Sequence, residues 1–116
     1  MAEEEKAGVE PLSCDLSRFR EQISQLSRLA VLFVGKECRP CEPFLEALSE
    51  AEAEGYLGMD VAVVAVDDPQ CDALAEELGV EDLPTVVVYS KGQEVGRVTP
   101  TGNYKEDIAR LIDLSE

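Results

Sequence analysis

Two nearly uninterrupted apolar runs, at positions 29–34 and 60–66, constrain the fold of this 116-residue chain more than any other feature. Neither run shows the apolar–polar alternation of a half-exposed strand, so both are predicted to be strands buried on each face of a sheet. Between them, at positions 44–54, apolar residues recur at helical spacing. Because a crossover helix joins the two strands, the pair is predicted to be parallel.

Helices are predicted on either side of these strands. A first helix, capped by Ser13 or Asp15, precedes the first run. After the second run, Asp68-Pro69 has the pattern of an N-cap followed by a first helical residue, and Gly79 ends that helix.

The C-terminal third is predicted to be a hairpin followed by a last helix. Positions 86–89 and 94–99 form the antiparallel hairpin, and Asn103 caps the helix. The fold class is therefore α/β, with a central mixed four-stranded sheet flanked by helices. One domain is expected at 13–116, preceded by a mobile acidic arm at 1–12.

The charge balance excludes several classes of partner. The chain has 25 acidic and 10 basic residues, a net charge of −15, which repels nucleic-acid phosphates and anionic membranes. A basic partner surface or a cytosol at high salt would both fit this charge. No apolar run reaches the ~20 residues of a membrane span, and the N-terminus lacks a signal-peptide pattern. We therefore expect a cytoplasmic protein without nucleic-acid or membrane partners.

The sequence Cys38-Arg39-Pro40-Cys41 lies where the first strand gives way to the second helix. A helix N-terminus favours a thiolate, which is the reactive form of cysteine. Cys38 is expected at that end and Cys41 one turn inside, so that Cys38 attacks a disulfide and Cys41 resolves the mixed disulfide. A zinc or iron–sulfur site is disfavoured, because the chain has no histidine and no second close cysteine pair. No metal or cofactor is predicted.

The charges around the pair have opposing effects. Lys36 and Arg39 flank Cys38 and would favour its thiolate, whereas Glu37 and Glu42 would disfavour it. The direction of the net effect is not fixed by the sequence, and the two cations could equally be solvated loop charges.

Several motifs in order make the chain resemble the thioredoxin family over residues 13 to 114. The resemblance rests on the strand end Leu32-Phe33-Val34, the CxPC sequence, Val66-Asp67, the helix end Ala75-Glu76-Glu77-Leu78-Gly79-Val80, Leu83-Pro84-Thr85 and the turn Lys91-Gly92-Gln93-Glu94-Val95. A CxPC sequence followed at this separation by Leu-Pro-Thr is a specific combination.

The resemblance implies the thioredoxin fold and thiol–disulfide exchange on protein disulfides, with electrons supplied by a reductase. Cys38 would be the attacking thiol and Cys41 the resolving one. A cis peptide bond between Leu83 and Pro84 would lie beside the cysteines, where the backbone receives the substrate chain. The residues expected to bind the substrate are Glu37, Arg39, Pro40, Leu83 and Pro84.

Three positions depart from the family pattern. Glu37 replaces the Trp that usually precedes the first cysteine, Arg39 replaces a Gly, and Leu32 stands where the family usually has a buried Asp. Loss of that carboxylate removes the usual group for deprotonating the resolving thiol, and Asp67 is not expected to replace it. The departures predict an altered choice of partner.

The other two cysteines are expected to have separate roles. Cys71 falls on the apolar face of its helix and is expected to act as a small buried hydrophobe. Cys14 is out of phase with the first helix and is expected to be either an exposed thiol able to form mixed or intermolecular disulfides or an inert surface cysteine.

The leading hypothesis is a monomeric thiol–disulfide oxidoreductase that transfers electrons from a reductase, or from another dithiol carrier, to protein disulfides. Two alternatives remain open: a thioredoxin-fold adaptor that binds a basic partner, and a glutaredoxin-like carrier that uses glutathione.

Overall fold

A computed structural model describes residues 12–55, 57–101 and 103–115. The expected acidic arm therefore lies outside the described residues, except for Leu12. The elements follow the predicted order: α1 Leu16–Ser24, β1 Arg28–Val34, α2 Cys41–Ala53, β2 Asp60–Ala65, α3 Pro69–Glu77, β3 Thr85–Ser90, β4 Gln93–Val98 and α4 Tyr104–Ser115.

The four strands form one mixed sheet in the order β2-β1-β3-β4. β1 is parallel to β2 with Leu29 opposite Asp60, and it is antiparallel to β3 with Leu29 opposite Tyr89. β3 and β4 form the predicted antiparallel hairpin. The predicted α/β architecture, including the parallel pair and the crossover helix, is confirmed.

The two apolar runs differ in burial. Five consecutive residues of β1 are buried, as predicted for a strand covered on each face. β2 instead alternates at its C-terminal end, where Val63 is 45% exposed. The prediction that β2 is buried on both faces was therefore wrong. β2 lies at the edge of the sheet, and the helix layer on that face does not cover Val63.

Alternate strand residues supply a core on each face of the sheet. α1 and α3 cover one face, with Phe19, Ile23, Leu74 and Ala75 packed on Leu29, Val31 and Phe33. α2 and α4 cover the other face, with Phe44, Leu48 and Leu111 packed on Ala30, Leu32, Val86 and Val88. Because α1 and α3 share a face, their N-terminal ends can come close together.

Side chains cap three of the helices, as the sequence predicts. Asp15 accepts a hydrogen bond from the Arg18 N–H (3.2 Å), and Asp68 accepts one from the Gln70 N–H (2.8 Å). At α4, the Asn103 side chain accepts a hydrogen bond from the Glu106 N–H (3.3 Å). These bonds satisfy donors that a helix start leaves unpaired.

The hairpin turn has only two residues, Lys91 and Gly92. Their φ angles are 52° and 86°, the pair of positive values that a type I′ turn requires. Gly92 also lies against Ser24, since a Cβ at Gly92 would be 3.0 Å from the Ser24 Cα. Glycine therefore serves both the turn and the close approach.

Arg97 on β4 connects the edge of the sheet to the end of α3. Its guanidinium donates hydrogen bonds to the carbonyls of Leu78 (2.6 Å) and Gly79 (3.0 Å) and pairs with Glu94 (2.7 Å). The hydrogen bond to Glu94 raises the Arg97 pKa above its ordinary value. α3 has no basic residue in its own last turn, so Arg97 supplies the cation that a helix C-terminus favours.

Candidate active site

The Cys38–Cys41 pair lies in the connection between β1 and α2. A disulfide joins the two sulfurs, with the Cα atoms 5.4 Å apart. The Cys38 N–H donates a hydrogen bond to the Gly35 carbonyl (3.3 Å), and the Cys41 N–H donates one to the Cys38 carbonyl (3.2 Å). Two consecutive turns therefore bring the cysteines together at the start of the helix.

The helix begins later than the sequence indicated. α2 starts at Cys41 with Pro40 as its N-cap, so the prediction that Cys41 lies one turn inside the helix was wrong. Pro40 and Pro43 have no N–H, and both lie where helical N–H groups have no intrahelical partner. The two prolines thus fit a helix that begins at Cys41, and both sulfurs lie near its positive end.

The two sulfurs differ in access to solvent. Cys41 is buried with a 5% exposed fraction, whereas Cys38 is half-buried. An external thiol or disulfide can therefore reach Cys38 more readily than Cys41. The four flanking charges, Lys36, Glu37, Arg39 and Glu42, are all exposed, so solvent screens their effect on the sulfurs.

Cys38 opens on two clefts. One cleft, of about 680 Å³, runs toward Arg39, Glu42 and Leu45. The other, of about 560 Å³, runs toward Asp67 and Leu83. Glu37 lines both clefts with Cys38, as expected of a residue at the mouth of a site.

The predicted substrate-binding residues fall into two groups. Glu37, Arg39 and Leu83 line the clefts beside Cys38. Pro40 is exposed at the cap of α2, and Pro84 is buried behind Leu83; neither lines the two clefts. The peptide bond between Leu83 and Pro84 is cis, as the family resemblance implied.

Leu83 contacts the loop that carries Cys38. A Cβ built on Gly35 would lie 3.0 Å from the Leu83 Cδ1 and 3.6 Å from the Val66 Cγ2. Glycine at this position lets the cysteine loop approach both segments closely. The segment before β3 is itself held by a hydrogen bond from the Thr85 hydroxyl to the Asp82 carbonyl (2.6 Å).

Asp67 has a structural role that the sequence did not reveal. Its Oδ1 accepts a hydrogen bond from the Lys36 N–H (3.0 Å) and so joins the β2–α3 loop to the cysteine loop. Its side chain is exposed, consistent with the expectation that it does not replace the buried carboxylate of the family. At that family position Leu32 is fully buried and packs among apolar residues.

A second disulfide joins Cys14 to Cys71, with the Cα atoms 4.9 Å apart. The predictions that Cys14 is an exposed thiol or an inert surface cysteine, and that Cys71 acts only as a small buried hydrophobe, were therefore wrong. Both residues are half-buried against the core on the α1–α3 face, and their bond ties the segment before α1 to the first turn of α3. The signal in the sequence was their common position at the starts of helices that share a face, but only the topology reveals that shared face.

Among residues 12–55, 57–101 and 103–115, no group of three or more His, Cys, Asp or Glu residues could hold a metal ion. Within the same ranges, no helix has both the length and the apolar character needed to cross a bilayer.

Comparisons with known proteins agree with this geometry. The thioredoxin family model matches residues 10–114. A thioredoxin from Chlamydia caviae is 37% identical over 84 residues, which are 70% of this chain and 76% of that protein. A bifunctional thioredoxin reductase/thioredoxin from Mycobacterium leprae is 31% identical over 117 residues, which are 100% of this chain but only 24% of that protein.

A solved structure supports the fold. A thioredoxin variant from Halobacterium salinarum superimposes with a TM-score of 0.74 over 97% of each chain, at 21% identity. With the family match and the Chlamydia relative, the chain belongs to the thioredoxin family and is a thiol–disulfide oxidoreductase.

Proposed function

We propose that the Cys38–Cys41 pair carries the exchange reaction, with Cys38 as the attacking thiol and Cys41 as the resolving one. The observation that carries this assignment is the difference in access between the two bonded sulfurs. Cys38 is half-buried beside two clefts, whereas Cys41 is 5% exposed at the start of α2. A substrate disulfide therefore meets Cys38 first.

The Cys38 and Cys41 thiols supply all the electrons and protons that the reaction needs. In the reduced protein the Cys38 thiolate attacks one sulfur of the substrate disulfide, forms a mixed disulfide and expels the other sulfur as a thiolate. The Cys41 thiolate then attacks the Cys38 sulfur and releases the second substrate thiol. The substrate gains two electrons and two protons, and the protein is left with the Cys38–Cys41 disulfide.

The resolving step has no buried carboxylate at the usual family position, where Leu32 is apolar and fully buried. Removal of the Cys41 proton would then depend on solvent water or on the departing substrate thiolate. We expect the mixed disulfide to be resolved more slowly than the attack occurs at neutral pH.

Glu37, Arg39 and Leu83 are proposed to contact the substrate from the clefts. Pro40 and Pro84 are proposed to shape the surface on which the substrate backbone lies. Support comes from the clefts beside Cys38 and from the contact of Leu83 with Gly35.

A separate reductase is proposed as the electron donor, which makes the protein a carrier in an electron-transfer chain. Support comes from the M. leprae relative, whose name joins a thioredoxin reductase to a thioredoxin in one chain. We further propose that the protein acts as a cytoplasmic monomer with one folded domain at 13–116. A cytoplasmic pool of thiols keeps most disulfides reduced, so the Cys14–Cys71 bond would be open there for part of the time.

The test is reduction of insulin disulfides by the protein with dithiothreitol as electron donor. Cys38→Ser should lower the rate to that of dithiothreitol alone, because the attacking thiol is lost. Cys41→Ser, pre-reduced and mixed with insulin after removal of dithiothreitol, should accumulate a mixed disulfide that mass spectrometry detects. The Cys14→Ser/Cys71→Ser variant is the matched control and should keep its turnover.

Equal rates for the protein and Cys38→Ser would overturn the assignment and favour the adaptor. Turnover that required glutathione in place of dithiothreitol would favour the glutaredoxin-like carrier instead.

A further inference from the structure

The two clefts beside Cys38 differ in charge. The cleft toward Leu83 is lined by four carboxylates, Glu37, Asp67, Glu81 and Asp82, and by the single cation Lys36, which gives a formal charge of −3. The cleft toward Leu45 is lined by Lys36 and Arg39 against Glu37 and Glu42, so its charges cancel. All of these side chains are exposed. The negative potential is therefore concentrated on one side of the half-buried sulfur.

The segments that carry the carboxylates of the Leu83 cleft are held together. These three segments are the cysteine loop, the β2–α3 loop and the segment before β3. The Lys36–Asp67 hydrogen bond joins the first two segments, and the contact between Gly35 and Leu83 joins the first to the third. The Thr85 hydrogen bond to the Asp82 carbonyl fixes the third segment. The four carboxylates are therefore kept on the same side of Cys38, where their summed negative potential can attract a cationic ligand.

A substrate disulfide must approach this cleft in order to react with Cys38. A substrate disulfide has to bring one sulfur to Cys38, and the residues that flank the disulfide then lie in or beside the clefts. Charges on those residues would be within about one Debye length, ~8 Å at physiological salt, of the cleft carboxylates. Lysine and arginine would be attracted at that range, whereas aspartate and glutamate would be repelled.

We propose that the Leu83 cleft selects protein disulfides that are flanked by lysine and arginine residues. Glu37, Glu81, Asp82 and Asp67 are the specificity-determining residues. The proposal rests on the function proposed for Cys38, and it adds the substrate class that this site prefers. A metal ion is not the expected occupant, since no group of carboxylates among the described residues could hold one.

The test uses three synthetic peptides that share one disulfide loop and differ only in the flanking residues, which are lysine and arginine, serine and glycine, or aspartate and glutamate. The pre-reduced protein is mixed with each peptide, and the single-turnover rate of peptide reduction is measured at low and high salt. We expect the basic peptide to react about tenfold or more faster than the acidic one at low ionic strength. The ratio should fall toward one in ~1 M NaCl, where the Debye length is about 3 Å.

A variant pair separates the cleft from the net charge of the whole chain. Glu81→Gln/Asp82→Asn removes two charges from the cleft, and Glu50→Gln/Glu54→Gln removes two exposed charges from the far end of α2. By helix rise these control positions lie roughly 14 to 20 Å from Cys41. The basic-to-acidic ratio should fall severalfold in the cleft variant and remain that of the wild type in the control. A charge reversal, Glu81→Lys/Asp82→Lys, should reduce the ratio further.

Three results would overturn the inference. The first is an equal reduction rate for the basic and acidic peptides. The second is an equal fall of the basic-to-acidic rate ratio in the cleft variant and in the Glu50→Gln/Glu54→Gln control, because the preference would then follow from the net charge of the chain. In both cases the reduction of peptides shows that the function proposed for Cys38 stands. Failure to reduce any of the three peptides would instead overturn that function, and the inference with it.

Discussion

Removal of the Cys14–Cys71 disulfide should destabilise the folded protein strongly while leaving the reactive cysteines intact. The variant is Cys14→Ala/Cys71→Ala, studied with the Cys38–Cys41 disulfide formed. The bond closes a loop between residues separated by 57 positions. In the chain-entropy treatment, closing a loop of this length stabilises the folded state by about 4 kcal/mol, because it restricts the unfolded chain.

The corresponding shift in melting temperature follows from the size of the protein. Unfolding entropy is about 2.1 cal/mol/K per residue, which for a chain of this length amounts to roughly 0.24 kcal/mol/K. A loss of about 4 kcal/mol then lowers the melting temperature by roughly 17 °C. The measurement is thermal unfolding followed by circular dichroism without reductant, with urea unfolding as a second determination of the free energy.

The second disulfide of the same chain provides the control. Cys38 and Cys41 are separated by only 3 positions, for which the same treatment gives about 2 kcal/mol. The Cys38→Ala/Cys41→Ala variant should therefore lose about half as much stability. If the Cys14→Ala/Cys71→Ala variant were as stable as the wild type, or lost less than this control, the loop-closure argument would be refuted.

Two further changes test features remote from the cysteines. Tyr89→Phe removes a buried hydroxyl that has no hydrogen-bond partner among the described residues, so the variant should be as stable as the wild type at neutral pH or more stable by up to about 1 kcal/mol in urea unfolding. Burial, and to a lesser extent Glu94, raises the Tyr89 pKa to about 12, so the folded state loses stability relative to the unfolded state as the pH rises from 10 toward 12. Tyr89→Phe should abolish that loss, and an unchanged alkaline profile would contradict the argument. Arg97→Ala removes the hydrogen bonds to the carbonyls that end α3 and should cost about 1 kcal/mol, whereas Lys105→Ala, an exposed cation in the first turn of α4, should cost less; equal losses would contradict a specific role for Arg97.

Features set by local sequence could be predicted well. Asp15, Asp68 and Asn103 cap their helices because a side-chain oxygen beside a free N–H is a local arrangement. The hairpin turn was also located, at Lys91-Gly92-Gln93, because a glycine between two apolar runs marks a short connection. The structure places Gln93 in β4, so the turn itself is one residue shorter. In the site, the position of Cys38 and Cys41 between a strand and a helix could be read directly from the sequence.

Features that depend on the arrangement of distant segments could not be predicted. The exposure of Val63 follows from the edge position of β2, which the apolar character of the strand does not reveal. The Cys14–Cys71 bond requires α1 and α3 to lie on the same face, and the Lys36–Asp67 hydrogen bond requires two loops to meet. Neither proximity has a signature in the sequence near the residues concerned.

The presence of two disulfides also affects how a redox titration of this protein is interpreted. A chain with both bonds formed accepts four electrons on full reduction and exposes four thiols to a reagent, although the exchange proposed above uses only two of each. Titration of the thiols in the fully reduced protein would therefore detect four thiols, twice the number that take part in the proposed exchange. A redox titration that assumes one two-electron couple would average two different bonds. The Cys14→Ala/Cys71→Ala variant removes this ambiguity, so the potential of the Cys38–Cys41 couple is best measured on that background.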